Sequence, residues 1–243
     1  MDSYRYLAQR YNELMADVDY DAWASYIDRL LGGRPLRLFE AGCGTGSLTG
    51  RLYDKGHDIV ASDISEEMLC IAMEDARRHG RDIVFVRLDM RQISAGRRFD
   101  AVICACDGPN YLDAAGLEAF FSSAYRMLVP GGRLLFDISS PEKLRAMNDE
   151  VYYDDSDDVT CLWHCRFDEQ RRALTMDVTL FVRRDERLYE KLTEQHVQYA
   201  HQPADIEAAL KNAGFAHTDI YEAFTLNPAS EESPRIQFVS RKE

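Results

Sequence analysis

Residues 40–48, EAGCGTGSL, restrict what this chain can fold into more than any other stretch. A short apolar run (Leu36, Leu38, Phe39) precedes them, and a helical pattern (Leu48, Leu52, Tyr53) follows. An acidic residue therefore ends a buried strand, and a glycine-rich turn leads from it into a helix. Glycine permits the tight turn and lets a ligand approach the main chain closely. The glycines are Gly42, Gly44 and Gly46, and Ser47 stands where the dinucleotide fingerprint GxGxxG places its third glycine. The spacing is GxGxG led by Glu40, which argues against a nucleotide-dependent oxidoreductase.

The surrounding pattern places this turn early in an α/β chain. Tyr4, Leu7, Ala8, Tyr11, Leu14 and Met15 recur at helical spacing, as do Trp23, Tyr26, Ile27, Leu30 and Leu31, so two helices precede the first strand. Strands follow at 58–62 (ending at Asp63), 83–88 (ending at Asp89 and Met90), 100–106 and 133–138. Ser65 caps the helix after the second strand, with Glu66 and Glu67 in its first turn. A helical stripe from Leu117 to Leu128 is closed by Pro130-Gly131-Gly132. Such alternation predicts a doubly wound, mostly parallel sheet.

Past Ser139 the rhythm becomes period-2. Val159, Cys161, Trp163, Cys165 and Phe167 alternate with polar partners, as do Leu174, Met176, Val178, Leu180 and Val182, then residues 188–199. Three antiparallel strands with one buried face are expected there, after an acidic loop at 154–158. Pro203 opens a last helix that Gly214 ends. Two strands near 218–225 and 235–240 are joined too tightly for a parallel crossover, so they form an antiparallel pair and complete seven strands. The expected organisation is a helical lid at 1–34, a Rossmann-like domain at 35–144 and 201–243, and an antiparallel β insert at 145–200 on the substrate side.

At 243 residues the chain suits one large domain with an insert. With no run of about 18 apolar residues and no basic-then-apolar start, neither a membrane span nor a secretory signal is expected, and the expectation is a cytoplasmic protein. The six cysteines resemble reduced thiols more than a disulfide framework. The formal charge of −13 disfavours long-range capture of nucleic acid without excluding a local basic patch, and it favours a small or cationic partner.

The motifs FEAGCGTG (39–46), ASDISEEML (61–69), VRLDM (86–90), FDAVICACDGPNYL (99–112) and LVPGGRLLFDIS (128–139) together resemble the class I S-adenosylmethionine (SAM)-dependent methyltransferases. The likeness covers nearly the whole chain, in a bacterial type with an antiparallel β insert related to sugar-amine N-methyltransferases. It implies SAM as cofactor and methyl transfer to a small-molecule acceptor, an amine being favoured. An RNA or protein acceptor, or a non-catalytic SAM-binding regulator, is the alternative. By the resemblance, Glu40, Gly42, Gly44 and Gly46 surround the methionine portion. Asp63, Ile64 and Met68 hold the ribose and adenine edge, Asp89 and Met90 the base, and Cys106 and Asp107 flank the sulfonium. Tyr11 holds the place of a tyrosine that closes over the cofactor. Relatives often carry YD there, whereas this chain has Tyr11-Asn12.

The acceptor side is less specific. DGPNY (107–111) lacks the consecutive prolines of the (D/N)PPY box of nucleobase-amine enzymes, yet Asn110 and Tyr111 lie where strand ends line the ligand crevice. Tyr111 aligns with a catalytic-base candidate, a histidine in the sugar-amine enzymes. Asn110, Tyr111 and Tyr11 are therefore the catalytic candidates, with Trp163, Glu194 and His196 as substrate contacts from the insert. A core aromatic is the competing reading for Tyr11, and a solvated strand face for Glu194 and His196. Cys161, His164 and Cys165 do not form a zinc site, since on a strand the histidine faces away from the cysteines and no second pair completes four ligands. No metal is expected. A homodimer is among the arrangements the sequence leaves open.

Overall fold

The computed structural model describes residues 7–243, apart from the side chain of Gln9. Tyr4 of the expected first helical stripe lies outside the described residues. The stripe forms a 3-10 turn, Leu7–Arg10, followed by a one-turn helix α1, Tyr11–Leu14, rather than one continuous helix. Next come α2 (Tyr20–Leu31), β1 (Arg37–Ala41), α3 (Ser47–Asp54), β2 (Asp58–Asp63), α4 (Glu66–Arg78), β3 (Val84–Arg87) and β4 (Phe99–Cys104). Helix α5 (Ala114–Met127) leads into β5 (Leu128–Ser139), and the short α6 (Pro141–Ala146) follows. The remaining elements are β6 (Val151–Asp155), β7 (Val159–Asp168), β8 (Ala173–Arg183), β9 (Tyr189–Tyr199), α7 (Pro203–Ala213), β10 (His217–Glu222) and β11 (Arg235–Arg241).

The main sheet has the order β10-β11-β5-β4-β1-β2-β3. Strands β1 to β5 pair in parallel, and β11 runs antiparallel to both β5 and β10. Side chains on successive strand positions face opposite ways, so β1 sends Phe39 into one core and Leu38 into the other. The first core joins Phe99, Phe136 and Phe238 to Phe120 and Phe121 of α5 and Ile206 and Leu210 of α7. The second joins Ile103 and Leu135 to Trp23 and Ile27 of α2 and Leu52 of α3. Helices thus cover both faces, and the crevice opens at the carboxyl ends of the strands, beside the neighbours β1 and β4, whose onward connections lead to opposite sides of the sheet.

The insert is a separate antiparallel sheet of four strands, β6-β7-β8-β9. The fourth strand goes beyond the three expected: residues 151–155 pair with β7, from Val151 opposite His164 to Asp155 opposite Thr160, which takes Asp154 and Asp155 out of the expected acidic loop and leaves 156–158 as the turn. All five are exposed on this edge, so no alternation of apolar and polar residues marked them as a strand. One face of the insert packs Val159, Cys161, Val178 and Leu180 against Leu7, Tyr11 and Leu14, and the same face meets Leu144 of α6 through Cys165 and Met176. Cys161 and Cys165 are core residues, and His164 is exposed. Among the described residues no helix is long and apolar enough to cross a membrane.

Candidate active site

A cavity of about 740 Å³ lies at the carboxyl ends of the parallel strands. Its floor is the glycine loop. Gly42 and Gly44 adopt φ of +71° and +54°, a region closed to most side chains, and a Cβ on Gly42 would touch Met90 Cε at 3.4 Å. Gly44 N donates to Asp63 Oδ2 at 2.8 Å and Ser65 N donates to Asp63 Oδ1 at 2.9 Å. These bonds bind the ends of β1 and β2 into one unit. Burial raises the Asp63 carboxyl, and the backbone donors, first Ser65 and then Gly44, pull it back.

Glu40 is the unusual group. It is 3% exposed, and its Oε2 has no hydrogen-bond partner among the described residues. Burial pushes its carboxyl up to about 7, with nearby Asp63 adding to the rise. A buried acceptor left open in this way suits a cationic or donor group of a ligand.

Of the twelve residues expected to hold the cofactor, the cavity is lined by Tyr11, Glu40, Gly42, Gly44, Asp63, Ile64, Met68, Asp89, Met90 and Cys106. Two expectations need correction. Gly46 is not in the lining; it precedes α3 at φ +78°, and a Cβ there would sit 3.0 Å from Ala72 Cβ, so its role is close packing of α3 on α4. Asp107 turns its carboxylate away, where Oδ2 accepts from Ser139 Oγ at 3.0 Å and lies 3.5 Å from Arg235 Nη2. Arg235 also pairs with the fully buried Asp137, which accepts from Asp107 N at 3.0 Å. This network holds Cys106 and Asp107 at φ +58° and +54°, a strain of about 1–3 kcal/mol each. The kink turns Cys106 toward the cavity. Burial keeps its thiol well above the usual range, so it is neutral at pH 7.

The opposite wall is aromatic. Tyr11, Tyr20, Tyr111 and Tyr199 reach the cavity from the N-terminal segment, α2, the Gly108–Tyr111 3-10 turn and the end of β9. Tyr11 and Tyr20 are hydrogen-bonded to each other, and burial raises both hydroxyls, Tyr20 to about 12. Thr45 Oγ1 donates to Asn12 Oδ1 at 2.6 Å, which pins the segment carrying Tyr11 to the glycine loop.

Asn110 does not reach the cavity, contrary to expectation. It is 0% exposed, its Nδ2 donates to Ser139 O at 3.2 Å and Tyr199 O at 2.9 Å, and its Oδ1 accepts from Ser139 N at 2.9 Å. It is a clamp between β5, the turn bearing Tyr111 and the end of the insert. Trp163, Glu194 and His196 also fall outside the lining. They stand behind Tyr111, with the His196 ring edge-on to it at 6.0 Å and stacked on Trp163 at 6.3 Å. The sequence reading missed Tyr20 and Tyr199. Tyr20 lies three residues before Trp23 on the same helix face, a usable signal; Tyr199 ends a long strand, and nothing in its spacing marks it.

Residues 38–132 match a methyltransferase domain family. The whole chain is 32% identical over 246 residues to a protein of Geobacillus sp. (strain WCH70) that carries a methyltransferase name, spanning 99% of this chain and 100% of that one. The crystal structure of a S-adenosylmethionine-dependent methyltransferase from Clostridium acetobutylicum ATCC 824 overlays at a TM-score of 0.86, with 28% identity and 98% of both chains covered. The chain belongs to the SAM-dependent methyltransferases. SAM-bound CalS10, an amino pentose methyltransferase from Micromonospora echinaspora, shares the fold at a TM-score of 0.75 and 21% identity, over 97% of this methyltransferase and 96% of that chain. The lining suits the family's cofactor: an unpartnered buried carboxylate oxygen, a second carboxylate at the next strand end, and glycines that leave the main chain open.

Proposed function

We propose that this methyltransferase transfers the methyl group of SAM to the nitrogen of a small-molecule amine. The observation that carries this reading is the pairing, within one cavity, of the glycine-loop carboxylates with a wall of four tyrosines. Aromatic faces attract cationic groups, and neutral phenols offer donors and acceptors to a polar acceptor. The cavity volume suits a cofactor plus a small acceptor. The net charge of −13 repels a phosphate backbone and tolerates a cation. The printed name of the fold relative CalS10, an amino pentose methyltransferase, points the same way.

In this reading Glu40 Oε2 accepts from the amino group of the methionine portion, and Asp63 takes the ribose hydroxyls on the lone pairs its backbone donors leave open. Ile64, Met68, Asp89 and Met90 border the adenine, and Cys106 faces the reacting centre. The cofactor supplies an activated methyl on a cationic sulfur. The chain aligns the acceptor lone pair, keeps water out and receives the amine unprotonated. Tyr11 and Tyr111 orient the acceptor, residues 1–34 serve as lid, the segments 35–144 and 201–243 bind the cofactor, and the insert at 145–200 backs the acceptor side through Tyr199 and His196. The test is calorimetric titration with SAM followed by a methylation screen across amines, phenols, RNA and proteins. Methylation of amines is the expected result. Methylation confined to RNA or protein would reject the acceptor class, and SAM binding with no acceptor in any class would favour a regulatory protein.

A further inference from the structure

We infer that Glu194 is a positioning residue that fastens the N-terminal segment over the cavity with one carboxylate oxygen and sets the Tyr111 wall with the other. Leu7 N donates to Glu194 Oε1 at 2.9 Å, across 187 positions of sequence. Glu194 Oε2 lies 3.3 Å from His196 Nε2, and both side chains are nearly inaccessible. His196 in turn meets Tyr111 edge-on and stacks on Trp163. One side chain on β9 therefore touches the supports of two different tyrosines.

The N-terminal segment depends on such a fastening. Leu7 to Leu14 contain one 3-10 turn and one α turn, far too short to persist as an isolated helix. Leu7 is fully buried against Val159, Cys161, Val178 and Leu180 of the insert, beside Tyr11 and Leu14. The far end is tied to the glycine loop through Asn12 and Thr45. Tyr11 sits between the two ties, one on the insert and one on the cofactor loop. That these walls enclose the acceptor rests on the function proposed above. That Glu194 holds them does not.

The experiment reads amide hydrogen exchange of the full chain without cofactor, at residues 7–14. Glu194→Ala should speed exchange there about tenfold, the effect expected from one lost part-buried hydrogen bond, with the main sheet unchanged. Glu194→Gln keeps an oxygen for Leu7 N and should restore protection, while its amide meets His196 and changes the imidazole tautomer signature in nitrogen NMR. Should Glu194→Ala not fold, Glu194→Asp, which keeps the carboxyl group but shortens the reach, should loosen the same residues. With an amine acceptor in hand, Glu194→Gln should raise acceptor KM more than it changes SAM affinity. Unchanged exchange at residues 7–14 in both the Ala and Asp variants would overturn the inference, as would a uniform rise across the main sheet. Failure of SAM to bind the wild type, with the Ala variant still loosened locally, would reject the proposed function and leave this inference standing.

Discussion

The two walls of the cavity are built in different ways. The glycine-loop wall is local: Glu40, Gly42, Gly44, Asp63 and Met90 sit at the ends of three adjacent parallel strands or in the turns that follow them. The tyrosine wall is assembled from the N-terminal segment, α2, the turn after β4 and the last residue of β9. The first wall inherits its geometry from sheet register. The second exists only when the N-terminal segment and the insert dock. Changes to the loop should therefore abolish cofactor binding or folding, whereas changes to the tyrosines should affect the acceptor and spare the cofactor.

The largest effect tests the loop's rigidity. Gly46→Val puts a β-branched side chain at φ +78° and drives its Cβ to 3.0 Å from Ala72 Cβ. Strain and overpacking together should cost about 4 kcal/mol of stability, read by chemical denaturation. A variant as stable as the wild type would mean that α3 and α4 can part freely, and the contrast between a rigid and an assembled wall would fail. Next is Asp63→Asn, which weakens the acceptor for Gly44 N and Ser65 N and for a ribose. SAM affinity should fall by about 2 kcal/mol in calorimetry. Unchanged affinity would remove Asp63 from the cofactor side.

The sequence revealed these two walls unequally. The strands and their directions follow from short-range alternation and connection length, so β1 to β5, the antiparallel pair β10 and β11, and the loop residues could be expected from local pattern alone. Ten of the expected cofactor residues line the cavity, and all but Tyr11 lie at a strand end or in the turn or helix start that follows it. Asp107 failed because its direction depends on Arg235 and Asp137, far away in the chain. Asn110 failed for the same reason, its amide being claimed by Ser139 and Tyr199. Strand β6 carries no apolar alternation because it is an exposed edge. Its residues Val151, Tyr152 and Tyr153 do have strand propensity, the one signal present.

A third test sharpens the comparison through pH. The Glu40 carboxyl, raised by burial to about 7, stays protonated in much of the free protein below that pH. An ammonium of the ligand needs it ionised. Cofactor affinity should therefore be flat above pH 7 and fall below it, by at most about 1.4 kcal/mol per pH unit. Glu40→Gln should flatten the profile. Stability of the free protein carries the opposite sign. Glu40's folded value lies above its unfolded one, so its contribution is fully present near pH 4 and is lost as pH rises toward 7. Calorimetry and denaturation at matched pH values check both. A wild-type affinity that does not change between pH 6 and 8 would dissociate Glu40 from the ligand's ammonium.

The smallest expected effect lies on the assembled wall. Tyr111→Phe removes one hydroxyl from a ring that His196 holds edge-on and that faces the cavity beside Leu112 and Asp113. The ring and its packing remain, so the fold and the glycine loop should not notice. If the hydroxyl orients the acceptor, kcat/KM for an amine should fall about tenfold, near 1.4 kcal/mol, while SAM affinity stays within about twofold. A hydroxyl that instead removes the proton would cost a hundredfold or more, so the size of the loss separates orientation from base action. A drop in SAM affinity as large as that of Asp63→Asn would mean Tyr111 belongs to the cofactor wall. The division would then have to be redrawn, with the turn after β4 serving the cofactor and only Tyr11, Tyr20 and Tyr199 left to meet the acceptor.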